Sequence, residues 1–344
     1  MKNAIFGLDI GITTMKVTWF DTDKKNIRYL ASNSVPTPTK GMMSESPFDQ
    51  QEMAAAINRL VVDAKISTNN VSVALPENRV YTKVIDMPLL SDKELSSAIY
   101  WEAEQYIPAS LDTMNLDWSI LRKPQNNDPA SKMQVLLVAA PIAIIKRYQT
   151  ILELAGLSVV SIETEILSVI RSVIASAQFP TTLIMNIGAL TTSFSIVQNG
   201  IILFTYITPF GGIAITRAIA ADFGFTLPQA EEYKKIYGLS DKNFGGKIST
   251  AIQPVLSSIV AEVKKAITFY ADKHKNESQI SQLLLIGGSA MLPGISGYFV
   301  QNVGLETVIG NPWTMLNIQG VPKELEQRGC EFAASIGLAL KDYE

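Results

Sequence analysis

Asp9, Gly11, Thr13, Thr14 and Lys16 lie close together in "LDIGITTMK", and "MNIGALTTS" repeats the arrangement with Asn186, Gly188, Thr191 and Thr192. Each stretch is an apolar run ending in an acidic or amide residue, then Ile-Gly, a small polar loop with paired threonines, and a second apolar run. Glycine lets the backbone approach a ligand, and the N–H groups of such a turn converge on an anion. Phosphate suits a turn of this kind. A single such turn is common in hairpins. The duplication is more specific, as is the apolar run "LLLIGGSAML" ending at Gly287, Gly288 and Ser289, because one cleft could close on a nucleotide from two sides.

The elements that must position these turns follow from periodicity. Strands are expected over 4–9 and 16–20, followed by a polar loop holding Pro36, Pro38 and Pro47. Met53, Ile57, Leu60, Val61 and Ala64 then share one helical stripe, and "NVSVALP" alternates as a strand. From Arg79 the order is a strand, a helix capped by Ser91 and Glu94 and running to Tyr106, and two strands around "KPQNNDPAS". A helix from Ile142 to Ala155 and the strand "LSVVSIE" complete the pattern of a split βαβ sandwich. It reads as an insertion, because the polar-turn pattern resumes beyond it. The helix "EILSVIRSVIASA" leads to strands over 182–187, 193–197 and 201–207 and a helix opened by "PFGG". Next comes a helix with Thr226 as N-cap, Pro228 in its first turn and Gly238 as its stop. A long helix over about 247–273, the strand into Gly-Gly and a last helix around 330–340 close the chain.

Composition narrows the chemistry. The 344 residues are 47% hydrophobic and 18% charged, with a net charge of -3, which implies a globular chain of two to four domains. No basic footprint for nucleic acid is present. Cys330 is the only cysteine, which excludes an intrachain disulfide and a thiolate zinc site, and its apolar surroundings predict a buried thiol. His274, the only histidine, is expected at a solvated helix end, and its isolation removes Ser-His-Asp chemistry. Neither a signal peptide nor a bilayer-length apolar run is read, so the cytoplasm is the expected location.

These motifs, in this order, resemble the actin-like ATPase superfamily, which includes actin, the Hsp70 ATPase domain, sugar kinases and FtsA. The fold so implied is α/β, with duplicated RNase H-like halves around a nucleotide cleft. By that resemblance the cofactors are ATP and Mg2+. Gly11, Thr13 and Thr14 would form the first phosphate loop, with Lys16 reaching a terminal phosphate and Asp9 orienting Mg2+ through its water shell. Gly188, Thr191 and Thr192, beside Asn186, would form the second. Glu231 and Lys234 of "QAEEYKKIYG" would meet the ribose, and Gly287, Gly288 and Ser289 would lie along the purine and its phosphate.

The insertion narrows the resemblance to FtsA and to the PilM family of type IV pilus assembly proteins, both with a split-βαβ (SHS2/1C-type) subdomain at this point. "MPLLSDKELSSAIYWEAEQYIPASLDTMNLDW" is similar to the PilM pattern, and no amphipathic membrane-targeting tail of the FtsA kind is read after "SIGLALKDY". The implied partition is a first half of 1–84, 164–180 and 325–344, an insert of 85–163, and a second half of 181–324. The resemblance further implies an adaptor that binds the cytoplasmic N-terminal segment of PilN and works with the pilus assembly motor complex. It would meet the membrane only through protein partners, and a homo-oligomer is an open option. Trp101, Tyr106, Ile107 and Trp118 would either give apolar contact to that peptide or fill the core of the insert. Asn186 predicts slow or absent hydrolysis, because an amide neither accepts a proton readily nor attracts a cation. The rival readings are an FtsA-like division scaffold and a phosphotransferase of the sugar-kinase type, which needs a base near its substrate hydroxyl.

Overall fold

The computed structural model describes residues 5–22, 26–124, 132–174, 179–240, 245–275 and 278–341. Ala4, most of the "KPQNNDPAS" loop, the end of the helix expected through Ala177 and the final residues 342–344 lie outside them.

The first sheet begins with an antiparallel meander of β1 (Phe6–Ile10), β2 (Thr14–Thr22) and β3 (Ile27–Pro36). Helix α1 (Pro47–Asp63) buries Met53, Ile57, Leu60 and Val61 from the expected stripe, and β4 (Asn70–Leu75) then pairs parallel with β1. The chain next leaves this sheet to build β5 (Tyr81–Pro88), α2 (Asp92–Tyr106), β6 (Met114–Arg122) and β7 (Lys132–Pro141). These strands form their own antiparallel sheet in the order β5-β7-β6. Ser91 and Glu94 make the reciprocal capping box expected of them at the start of α2. Helix α3 (Ile142–Leu154) and β8 (Ser158–Thr164) return to the first sheet, where β8 pairs parallel with β4.

Helix α4 (Glu165–Val173) crosses to the second sheet, which repeats the design of the first. Strands β9 (Thr182–Ile187), β10 (Thr192–Gln198) and β11 (Ile201–Thr208) form the meander. Helices α5 (Gly212–Phe223), α6 (Leu227–Tyr237) and α7 (Lys247–Lys273) follow, and then β12 (Gln282–Ile286), parallel to β9. Helix α8 (Ile295–Val303), the edge strand β13 (Glu306–Ile309), the single turns α9 (Pro312–Met315) and α10 (Lys323–Glu326), and α11 (Gly329–Ala339) finish the chain. The orders β3-β2-β1-β4-β8 and β11-β10-β9-β12-β13 superpose element for element.

Three expectations change. The segment expected as a polar loop contains β3, whose alternation is broken where the ladder shifts register at Trp19/Phe20. Helix α3 and β8 belong with the first sheet, so the strand order expected of the insert runs only through β7. His274 is buried, with its ring stacked on Tyr270 at 4.7 Å, where a solvated helix end was expected.

Two helices serve both halves. Helix α4 buries Ile166, Val169, Ile170 and Val173 in the core of the second half, while α11 lies across β1 and gives Cys330, Ala333 and Ala334 to that same core. Close approach makes this possible. A Cβ on Gly337 would sit 1.8 Å from the Ser168 carbonyl oxygen of α4, and one on Gly7 would sit 2.0 Å from the Ser335 oxygen of α11. Glu163 fixes the crossing, accepting two hydrogen bonds from Arg171 at 2.6 and 3.0 Å and one from Lys341 at 2.8 Å. Gly337→Ala should therefore destabilise the fold by ~2 kcal/mol or more through overpacking. Gly297→Ala, in α8 where the added methyl would meet no other part of the described residues within 4 Å, should instead stabilise by about 0.5–1 kcal/mol. The midpoints of urea denaturation measure both.

Candidate functional site

The two polar turns close with the same hydrogen bond. The Gly11 amide donates to the Thr14 carbonyl at 3.1 Å, and the Gly188 amide to the Thr191 carbonyl at 2.9 Å. A Cβ on Gly11 would approach the Thr14 oxygen to 2.7 Å, so this turn admits only glycine. Asp9 and Lys16 face each other across the β1–β2 ladder, with Nζ 3.6 Å from the carboxylate. Burial pushes the Asp9 carboxyl above its usual range, against the pull of Lys16. Among the described residues Asp9 is the one acidic partner of Lys16, and the hydroxyls of Thr13, Thr14 and Thr191 have no protein partner. Thr192 differs, being buried and donating to the Phe210 carbonyl at 2.7 Å.

Sequence reasoning missed the residue that joins the turns. Glu165, the first residue of α4, accepts a 2.8 Å hydrogen bond from the Asn186 amide at the end of β9. Burial first, and then the Asp9 charge, push its carboxyl up to about 7. One buried carboxyl thus senses both turns. Glu77 lies behind it, capping the Ile166 amide of α4 at 3.4 Å, and burial and the Glu165 charge push it to about 7 as well. A carboxyl poised near neutral pH is what proton transfer requires.

The third wall comes from α5, α6 and the β12 end. Gly212 at the start of α5 donates to the Gly188 carbonyl at 2.9 Å, and Ile213 to the Ala189 carbonyl at 2.8 Å, which pins the second turn. Lys234 is buried, with Nζ 2.6 Å from Glu231 Oε2, 2.9 Å from Thr216 Oγ1 and 3.2 Å from the Gly212 oxygen. Gly287 has φ +91°, and a Cβ there would lie 2.6 Å from Asn186 Oδ1; one on Gly212 would lie 2.4 Å from Ser289 Oγ. Asp9, Asn186, Gly188, Glu231, Lys234, Gly287 and Ser289 thus converge. Gly288 has open space around it.

The four residues of the insert expected at a peptide surface or in its core differ in exposure. Trp101 is 74% exposed on α2, and Tyr106 is partly exposed with Lys83 Nζ 4.0 Å above its ring. Ile107 is buried in the core of the insert and Trp118 packs on that core, so Ile107 presents no surface.

The raised carboxyls set a pH dependence. A carboxyl lifted to about 7 in the fold binds a proton there that the unfolded chain has released, so stability falls as pH rises from about 4.5 through 7. Glu77→Gln removes one such group while keeping an acceptor for the Ile166 amide. It should raise the melting temperature by several degrees at pH 8 and leave it unchanged at pH 4, as read by thermal denaturation.

The fold agrees with known proteins. A solved structure described as the PilM-PilN type IV pilus biogenesis complex superposes with a TM-score of 0.86 at 26% identity, covering 99% of each chain. MreB 5 of Spiroplasma citri bound to AMPPNP superposes with a TM-score of 0.52 at 14% identity, over 97% of this chain and 95% of that one. The cell division protein FtsA of Streptococcus pneumoniae is 25% identical, over 84% of this chain and 71% of its own length. The architecture is therefore the actin-like ATPase fold, with mixed sheets and flanking helices. The model of the family described as type IV pilus assembly protein PilM matches residues 7–343, and the chain belongs to that family.

Proposed function

We propose that this chain is a cytoplasmic ATP-binding adaptor of the type IV pilus inner-membrane assembly complex, with slow or no hydrolysis. The observation that carries the reading is the pair of glycine-closed turns with the same hydrogen bond, joined through Glu165 and lined by the hydroxyls of Thr13, Thr14 and Thr191, which have no partner among the described residues. Those turns suit a triphosphate: close backbone approach at Gly11 and Gly188, hydroxyls at Thr13, Thr14 and Thr191, and the Lys16 ammonium for a terminal phosphate. Asp9 suits Mg2+ held through water. Glu231 stands on the ribose side, and Gly287, Gly288 and Ser289 along the purine and its phosphate. Slow turnover follows from Asn186, which replaces a carboxylate and holds Glu165 by its amide, so that base faces a neutral group where Mg2+-bound water would need charge.

Binding of the N-terminal cytoplasmic segment of a PilN-type partner rests on family membership and on the solved complex similar to this chain. We place the peptide between the insert and the first half. The insert is then an SHS2/1C-type subdomain of β5, α2, β6 and β7, with α3 and β8 returned to the first half and 181–324 kept as the second. Trp101 and Tyr106 are its outward aromatic candidates.

Lys16→Ala should weaken ATP binding on the order of tenfold or more in titration calorimetry. Steady-state phosphate release from the purified chain should stay far below ~1–10³ s⁻¹, and turnover in that range would sink the adaptor reading. Trp101→Ala should weaken the complex with a PilN-type N-terminal peptide by ~1–2 kcal/mol without moving the melting temperature, as a surface anchor does. Ile107→Ala should lower the melting temperature.

A further inference from the structure

An ammonium group has three N–H donors and no acceptor. In Lys234 all three have partners within the protein: Glu231 Oε2 at 2.6 Å, Thr216 Oγ1 at 2.9 Å and the Gly212 carbonyl at 3.2 Å. The side chain is 9% exposed, and burial pushes its ammonium down against the pull of Glu231.

The same three acceptors are linked to one another. Thr216 Oγ1 lies 2.5 Å from Glu231 Oε2 and 2.9 Å from the Gly212 carbonyl, so its single proton completes whichever bond the lysine leaves weaker. Gly212 in turn donates its amide to Gly188, and its neighbour Ile213 donates to Ala189. A continuous path of hydrogen bonds therefore runs from α6, through Lys234 and Thr216, into the first residue of α5 and on to the second phosphate turn. The junction is tight, since a Cβ on Gly212 would come within 2.4 Å of Ser289 Oγ and displace that hydroxyl.

We infer that Lys234 and Thr216 together form a buried tether that sets the position of the second phosphate turn. Both are positioning residues, and Thr216 carries a role that its place in the helix sequence does not suggest. The inference rests on the ATP reading for its ligand, but its geometry stands alone. It makes a prediction that a ribose contact by Lys234 alone does not make. Loss of the tether weakens phosphate binding even for a ligand with neither sugar nor base.

The test uses the full chain with Thr216→Val, Thr216→Ser and Lys234→Met, and two readouts. The first is amide hydrogen exchange without ligand at Gly212 and Ile213, compared with α1 in the first half. The second is displacement of a fluorescent ATP analogue by Mg2+-tripolyphosphate. Thr216→Val and Lys234→Met should speed exchange at those two amides at least tenfold with α1 unchanged, and weaken tripolyphosphate at least fivefold. Thr216→Ser should match the wild type in both. Unchanged exchange and tripolyphosphate binding, with ATP alone weakened, would overturn the tether and restore a direct contact. A wild type that binds neither ligand would defeat the ATP reading, and the exchange data would still decide the tether.

Discussion

At Gly337 the backbone of α11 passes so near α4 that no side chain fits between them, and the Glu163–Arg171 pair clamps the crossing from one side. Both helices are shared property. Helix α4 starts at the end of a first-sheet strand and buries its apolar stripe in the second core, while α11 returns from the second half to lie on β1. The two polar turns sit at the ends of β1 and β9, so their separation is set by how these helices cross. Loosening the crossing by a methyl group would move one turn against the other before it disturbed either sheet.

The charges at the centre follow from that geometry. Bringing the β1 and β9 ends to the start of α4 buries Asp9, Glu77 and Glu165, and burial raises all three; the Asp9 charge adds to the rise at Glu165, and the Glu165 charge to that at Glu77. A carboxylate at Asn186 would add a fourth. The amide relieves this crowding by donating a hydrogen bond to Glu165, so the departure between the two copies of the turn has an electrostatic reason as well as a chemical one.

Much of this was legible in the residues. Strand and helix positions followed from alternation and caps, and the capping box at Ser91 and Glu94 formed as its spacing requires. Both turns could be found because glycine and threonine are local requirements. What the sequence hides is adjacency. Glu165 reads as an ordinary acidic residue at a helix start, and only the meeting of β1 with β9 makes it central. The alternation in β8 identifies a strand but not its neighbour, which proved to be β4. Lys234 and Glu231 were recognisable as a pair on one helical face, yet the Gly212 carbonyl beneath them belongs to another helix. His274 sits among polar residues in the chain and beside Tyr270 in space.

The insert leaves the chain from the first half, but Val84 and Leu136 on its sheet belong to the core of the second. The Thr205 hydroxyl donates to the Thr82 carbonyl, and Lys273 pairs with Asp86 across the same seam. During synthesis these apolar side chains emerge well before the strands and helix that cover them. At ~5–20 residues per second, the gap between Val84 and the end of α7 is on the order of 10–40 s. For that interval the nascent chain displays one finished face and one bare face of a three-stranded sheet, a surface that a chaperone or a premature partner would find before its own second half does.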